Sequence, residues 1–173
     1  IEALAAEAED NGGVYFVPAL TGLGAPHWDQ YARGTIIGIT RGTDKSHIAR
    51  AALEGIAFQA ADVLKAMQTD AKIEIPEIRT DGGAAANNIL LQFQSELLGK
   101  PVIRPEQLET TALGAAFLAG LGTGFWKNTE ELQNRREEDK KFEARLPEEK
   151  IARLNKAWNK ALERSKNWEE EEA

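Results

Sequence analysis

Apolar and polar positions alternate along the chain in two rhythms, and their order sets the expected architecture. Residues 14–18 (VYFVP) form a continuous apolar run stopped by proline, the pattern of a buried strand. Residues 35–40 (TIIGIT) read as a second strand, and the intervening TGLGAPHWDQYARG reads as a surface loop. Over residues 44–67 the apolar positions Ile48, Ala52, Ile56, Ala60, Val63 and Met67 recur three and four apart. That spacing predicts a long amphipathic helix capped by Thr43 or Asp44. Two strand-turn-helix units follow. Residues 76–80 lead through Asp81-Gly82-Gly83 into a helix over 86–98 closed by Gly99, and residues 101–104 lead into a helix over 110–121. Strands alternating with helices predict an α/β fold with a parallel sheet and right-handed crossovers.

Composition divides the chain at about residue 126. Residues 1–126 hold most of the glycines and β-branched runs, whereas more than half of residues 127–173 are charged, with the signs nearly balanced. The expected organisation is a main domain over 1–126 and a charged helical extension over 127–173 that packs on it. Pro147 suits the first turn of the extension's helix, and Glu148 and Glu149 complement the positive end of its dipole. Ile151, Leu154, Trp158, Ala161, Ser165 and Trp168 make a stripe expected to dock, with both tryptophans as packing residues. Glu169 to Glu172 read as a solvated, frayed tail.

The 173 residues, 42% of them hydrophobic, suffice for a core and exclude global disorder. A net charge of −7 argues against a nucleic-acid or anionic-membrane binder. The chain has no cysteine, and so no disulfide, thiolate nucleophile or zinc-cysteine cluster, and its two histidines are a poor basis for a metal site. No run approaches the roughly 20 apolar residues that span a bilayer, and no signal-peptide pattern opens the chain, so the expected location is cytoplasmic. The start at Ile1 predicts a piece of a longer protein.

The familiar phosphate loops are absent: there is no G-x-x-x-x-G-K-[ST], and neither G-L-G extends to G-x-G-x-x-G. The DGG turn remains, at the carboxyl end of a strand and the start of a helix, where open α/β sheets place ligands. Glycine admits close backbone approach, helix-start N–H groups suit phosphate oxygens, and Asn87 offers an amide to a purine or ribose edge. The alternative is a tight turn that only satisfies packing. TTALGAAFLAG, rich in small residues, reads as a helix packed closely on the sheet or as a smooth floor under a planar ligand. Arg33 and Arg41 read as surface ion-pairing residues, and Glu54 as a structural partner instead of a base.

These motifs resemble a family. T-G-L-G-A-P-H-W-D-Q-Y-A-R-G, the signature-like stretch from Gly34 to Glu54, D-G-G-A-x-x-N-N and T-A-L-G-A-A-F-L-A-G-L-G-x-G-F-W are similar to the C-terminal domain of the FGGY carbohydrate kinases. Among these they point to the glycerol kinases. The resemblance is close from about Gly12 to Trp126, with His27 standing, at an expected exposed site, where tyrosine is common.

The resemblance implies the actin-like ATPase (ribonuclease H-like) fold, incomplete here at its N-terminal strands and so with an open sheet edge. It also implies ATP-dependent phosphorylation of glycerol. The adenosine half of ATP falls on Gly83 and Asn87, with Gly82 as their neighbour, while Asp81 positions the turn. Mg²⁺ enters with the nucleotide, with no ligand in this chain. The G-D-Q-Q base, the T-G-T phosphate turn and the glycerol contacts of the family lie upstream of the matched region. No catalytic residue is therefore assigned here, and the chain alone is expected to be inactive. ATP or ADP, glycerol through the upstream part, and further copies in the complete enzyme are the expected partners. The remaining alternatives are a non-catalytic interaction module and a pentulose or gluconate kinase.

Overall fold

A computed structural model describes residues 1–133 and 138–170. The elements are α1 (Glu2–Ala5), β1 (Tyr15–Val17), β2 (Thr35–Ile37), α2 (Lys45–Ala71), β3 (Ile78–Arg79), a 3-10 turn (Gly83–Ala86), α3 (Asn88–Leu98), β4 (Val102–Pro105), α4 (Thr110–Gly122), α5 (Glu130–Gln133), β5 (Glu138–Phe142) and α6 (Glu148–Ser165). β1 and β2 pair antiparallel, Phe16 opposite Ile36. A second sheet runs β3-β4-β5, with β3 parallel and β5 antiparallel to β4. Among the described residues the expected parallel sheet is thus one parallel pair, and β3 is an edge.

β5 was not legible as a strand, because four of its five residues are charged and exposed. Phe142, buried opposite Val102, anchors it. Ion pairs from Arg104 to Asp139 (2.5 Å) and Arg79 to Glu138 (2.9 Å) hold its outer side. The charged extension therefore contributes a strand as well as a helix. Its lead into α6 is tied to α3 by Glu96, whose Oε2 accepts the N–H groups of Arg145 and Leu146 at 2.7 and 2.8 Å.

The main core joins β1, the 19–34 loop, α2, α3 and α6 around aromatic rings. Trp158 lies flat on Phe58, with centroids 4.8 Å apart and planes 5° from parallel, and Phe93 meets Phe58 edge-on at 5.3 Å. Asp62 Oδ2 accepts the Trp158 indole N–H at 2.9 Å and lies 3.1 Å from His27 Nε2. His27 is therefore half-buried and bonded, not exposed as expected. The loop that carries it is no simple surface loop either, because Ala19, Leu23 and Ala32 are buried in the core.

α2 starts at the expected cap: Asp44 accepts the N–H of Ser46 and of His47 in a capping box, and the Ser46 hydroxyl first of all holds its carboxyl well below the ordinary value. The helix buries a different face from the predicted stripe. Ala49, Leu53, Ala57, Phe58 and Ala61 face inward, while Ile56, Val63 and Met67 (56%) stay exposed. Where β1 comes closest the helix carries Gly55, on which a Cβ would stand 2.2 Å from the Phe16 carbonyl oxygen. The second predicted strand is also shorter, since Gly38 (φ 95°) ends β2 before Ile39. At the C-terminus, Trp168 is 69% exposed and does not pack. Glu169 is fixed rather than frayed, pairing with Arg33 and donating its N–H to Tyr31 O at 3.0 Å. Residues 171 and 172 of that run lie outside the described residues.

Glu54 is buried, accepting from Asn11 Nδ2 at 2.7 Å and Arg50 Nε at 3.0 Å, which fits a structural partner. Burial pushes its carboxyl above the ordinary glutamate value, against the lowering effect of Arg50 and Asn11. The folded chain therefore holds this proton more tightly than the unfolded chain. The resulting stabilisation is complete below the ordinary value of 4.5 and is lost as pH rises through the folded value.

Three outcomes follow from this packing. Trp158→Ala should lower unfolding stability by about 3–5 kcal/mol in urea titrations. Gly55→Ala should lower it by about 1–3 kcal/mol by forcing α2 off β1. Urea midpoints for wild type and Glu54→Gln across the acid to neutral range should show the wild type's relative advantage greatest at the acid end and shrinking as pH rises.

Candidate functional site

β3 and β4 run parallel and end side by side, so the segments that leave them share one rim of the sheet. Beyond β3, Thr80 donates its N–H and its hydroxyl to Ile103 O at 3.0 and 3.2 Å, which extends the pairing one residue. Gly82 then turns with φ 77°, a value open to glycine, and donates its N–H to Leu108 O at 2.9 Å. The helix expected from residue 86 starts later: a 3-10 turn comes first, and Asn87 is the N-cap of α3. Asn87 Oδ1 accepts the Leu90 N–H at 3.0 Å. That leaves the Nδ2 end of its amide for other partners.

The outer side of this turn is open. A Cβ built on Gly82 or on Gly83 meets nothing within 4 Å. Close helix-sheet packing therefore does not explain Gly83, and the turn has room for a ligand against its backbone. Behind it the support is firm. Arg104 Nη1 donates to Ala85 O and Ala86 O at 3.3 and 3.1 Å, while Ala85 is buried with Leu91, Val102 and Phe142.

Two of the helix-start N–H groups that the sequence reading offered to phosphate oxygens are already engaged. Leu90 N–H is taken by Asn87, and Asn88 N–H by Glu2 Oε1 at 2.7 Å. A carboxylate beside the first turn of α3 also disfavours further negative charge there. The turn suits a neutral part of a ligand.

Beside the turn lies a cleft of about 590 Å³ between the ends of β3 and β4 and one side of α4. That is ample for a small-molecule ligand. Thr80, Asp81, Ile103, Pro105, Thr110 and Phe117 are among its lining residues, whereas Gly82, Gly83 and Asn87 are not. Asp81 accepts a hydrogen bond from Thr110, the first residue of α4, and so links the turn to that helix. α4 does not pack closely on the sheet as expected. None of its residues is buried, and it forms a wall of the cleft. Trp126, also on the wall, has a buried Nε1 with no hydrogen-bond partner. Sequence reading missed both Trp126 and Arg104, since neither carries a spacing signal. Among the described residues no group of three or more acidic or imidazole side chains is placed to hold a metal ion. Nor is any helix there long and apolar enough to cross a membrane.

Residues 2–123 match the family model described as the C-terminal domain of the FGGY family of carbohydrate kinases. A glycerol kinase from Rhodopirellula baltica is 58% identical over 173 residues, covering 100% of this chain and 32% of that protein. One from Deinococcus radiodurans is 54% identical over 171 residues, 99% of this chain and 34% of that protein. Among solved structures, Plasmodium falciparum glycerol kinase with ADP aligns with a TM-score of 0.85 at 37% identity, over 95% of this chain and 33% of that one. A ligand-bound xylulose kinase from Lactobacillus acidophilus aligns with a TM-score of 0.73 at 26% identity, over 93% of this chain and 32% of that one. The chain spans about a third of the length of the curated relatives it matches. Its mixed sheets and helices follow the actin-like ATPase fold of these kinases. Residue identity and backbone course agree, and the chain belongs to the FGGY family of carbohydrate kinases, whose C-terminal domain it carries.

Proposed function

We propose that this chain forms the adenosine-side wall of the ATP site in a glycerol kinase, which transfers the γ-phosphoryl group of ATP to a hydroxyl of glycerol and yields glycerol 3-phosphate. The observation that carries the reading is the open DGG turn: glycines with free space where a Cβ would stand, next to an Asn87 amide with its Nδ2 end available. Gly82 and Gly83 admit the nucleoside against the backbone, and Asn87 donates to a base or ribose acceptor. The neighbouring carboxylate of Glu2 favours the nucleoside over the phosphates at this point. Mg²⁺ would travel on the nucleotide phosphates. Glycerol is favoured over a pentulose because identity to the glycerol kinases above is 37–58%, against 26% for the xylulose kinase.

In this reading the chain's residues bind and orient. The proton of the accepting hydroxyl is removed elsewhere in the full-length protein, so the 173 residues alone bind nucleotide without turnover. Supply of ATP fits a cytoplasmic location.

Gly83→Val tests the assignment cleanly, since its side chain would enter open space rather than the protein. In the full-length protein, calorimetry should find ADP binding weakened by about tenfold or more, with the KM for glycerol within about twofold of wild type. Unchanged ADP and glycerol constants would remove the DGG turn from the nucleotide site.

A further inference from the structure

Asn87 can present its amide only if the peptide that joins it to α3 is held still, and the residue that holds it comes from the far end of the chain. Asn88, the first residue of α3, is bound at both ends of its side chain and through its backbone. Its N–H and its Nδ2 both donate to Glu2 Oε1, at 2.7 and 3.1 Å, and its Oδ1 accepts from Lys140 Nζ of β5 at 3.3 Å. Both amide atoms being engaged fixes which way the Asn88 side chain is turned.

Glu2 is not a loose surface carboxylate. Its short helix α1 is seated by Ala5, which is buried against Ala49 and Leu53 of α2, with Leu4 and Ile89 packed on the same cluster. The acceptor is therefore placed by packing with both α2 and α3, and it reaches the α3 N-terminus from a rigid base. Asn87 sits between this clamp and the 3-10 turn at φ −84° and ψ 112°, an extended conformation that aims its side chain as the N-cap.

We propose that Glu2 is a positioning residue of the nucleotide site, acting through Asn88 to hold Asn87 in the orientation that meets the nucleoside. The proposal rests on the reading of Gly83 and Asn87 as nucleotide contacts. It assigns a role to hydrogen-bond acceptance, so a glutamine at position 2, whose amide oxygen also accepts, serves in place of the carboxylate.

The test uses the full-length protein, with steady-state kinetics varying ATP and glycerol in turn and thermal melts as a check on folding. Glu2→Ala should raise the KM for ATP about fivefold or more, leaving kcat and the KM for glycerol within about twofold. Glu2→Gln should stay within about twofold of wild type in all three constants. Asn88→Ala keeps its backbone N–H to Glu2 Oε1 and should raise the KM for ATP by less than Glu2→Ala, while the double variant should be no worse than Glu2→Ala, because both act through one contact. If Asn87→Ala raises the KM for ATP while Glu2→Ala does not, the proposal is overturned and the nucleotide reading stands. If Asn87→Ala also has no effect, both fall. A Glu2→Ala protein that loses both substrates equally marks a purely structural residue and also overturns the proposal. Should Glu2→Ala fail to fold, Glu2→Met decides, since it keeps the length of the side chain and loses the acceptor oxygen: a raised KM for ATP supports the proposal and an unchanged one overturns it.

Discussion

The flat contact between Trp158 and Phe58 is the constraint on which the rest of the structure depends. It presses the C-terminal helix onto the middle of α2, and the edge of Phe93 carries the same contact into α3. Burying an indole requires a partner for its N–H, and Asp62 supplies one while also bonding His27 in the 19–34 loop. One carboxylate thus joins a loop and two helices. Position is transmitted from the last helix to the middle of α3 through three rings, one pair stacked and the next edge-on.

The candidate site stands at the end of that path and uses the opposite arrangement. Behind the DGG turn every neighbour is fixed, with Arg104 on the Ala85 and Ala86 carbonyls and Asp81 joined to Thr110. In front, the two glycines leave space. A rigid back and an empty front are what a binding wall needs, because a ligand then meets a preformed surface and little ordering is left to be done on binding.

Most of the element order was legible in the sequence, since the apolar runs at β1, β4 and α3, though short at the strands, are punctuated by Pro or Gly. Gly99 closes α3 in the left-handed conformation, as its position after the last periodic residue implied. What failed did so for identifiable reasons. The inward face of α2 was misjudged because, beside Leu53 and Phe58, it is built of alanines and of Gly55, which carry weak hydrophobic signals. β5 was hidden by its charges, which pair with Arg79 and Arg104 across the sheet. At the candidate site, Gly82, Gly83 and Asn87 stood out in the sequence because a turn chemistry and a family motif coincide there. Arg104 and Glu2 were invisible, since each matters only through a contact between distant segments.

Helix α4 carries a consequence of a different kind. Its sequence is almost entirely apolar, yet none of its residues is buried, and Leu118 (73%) and, just beyond its end, Phe125 (76%) are largely bare. Apolar surface in water is unfavourable in proportion to its area, so this helix holds free energy that is released only when another surface covers it. The wall of the cleft is therefore also a bare apolar surface of the molecule. Any movement that brings a second surface onto α4 would change the shape of the cleft and the solubility of the chain in one step.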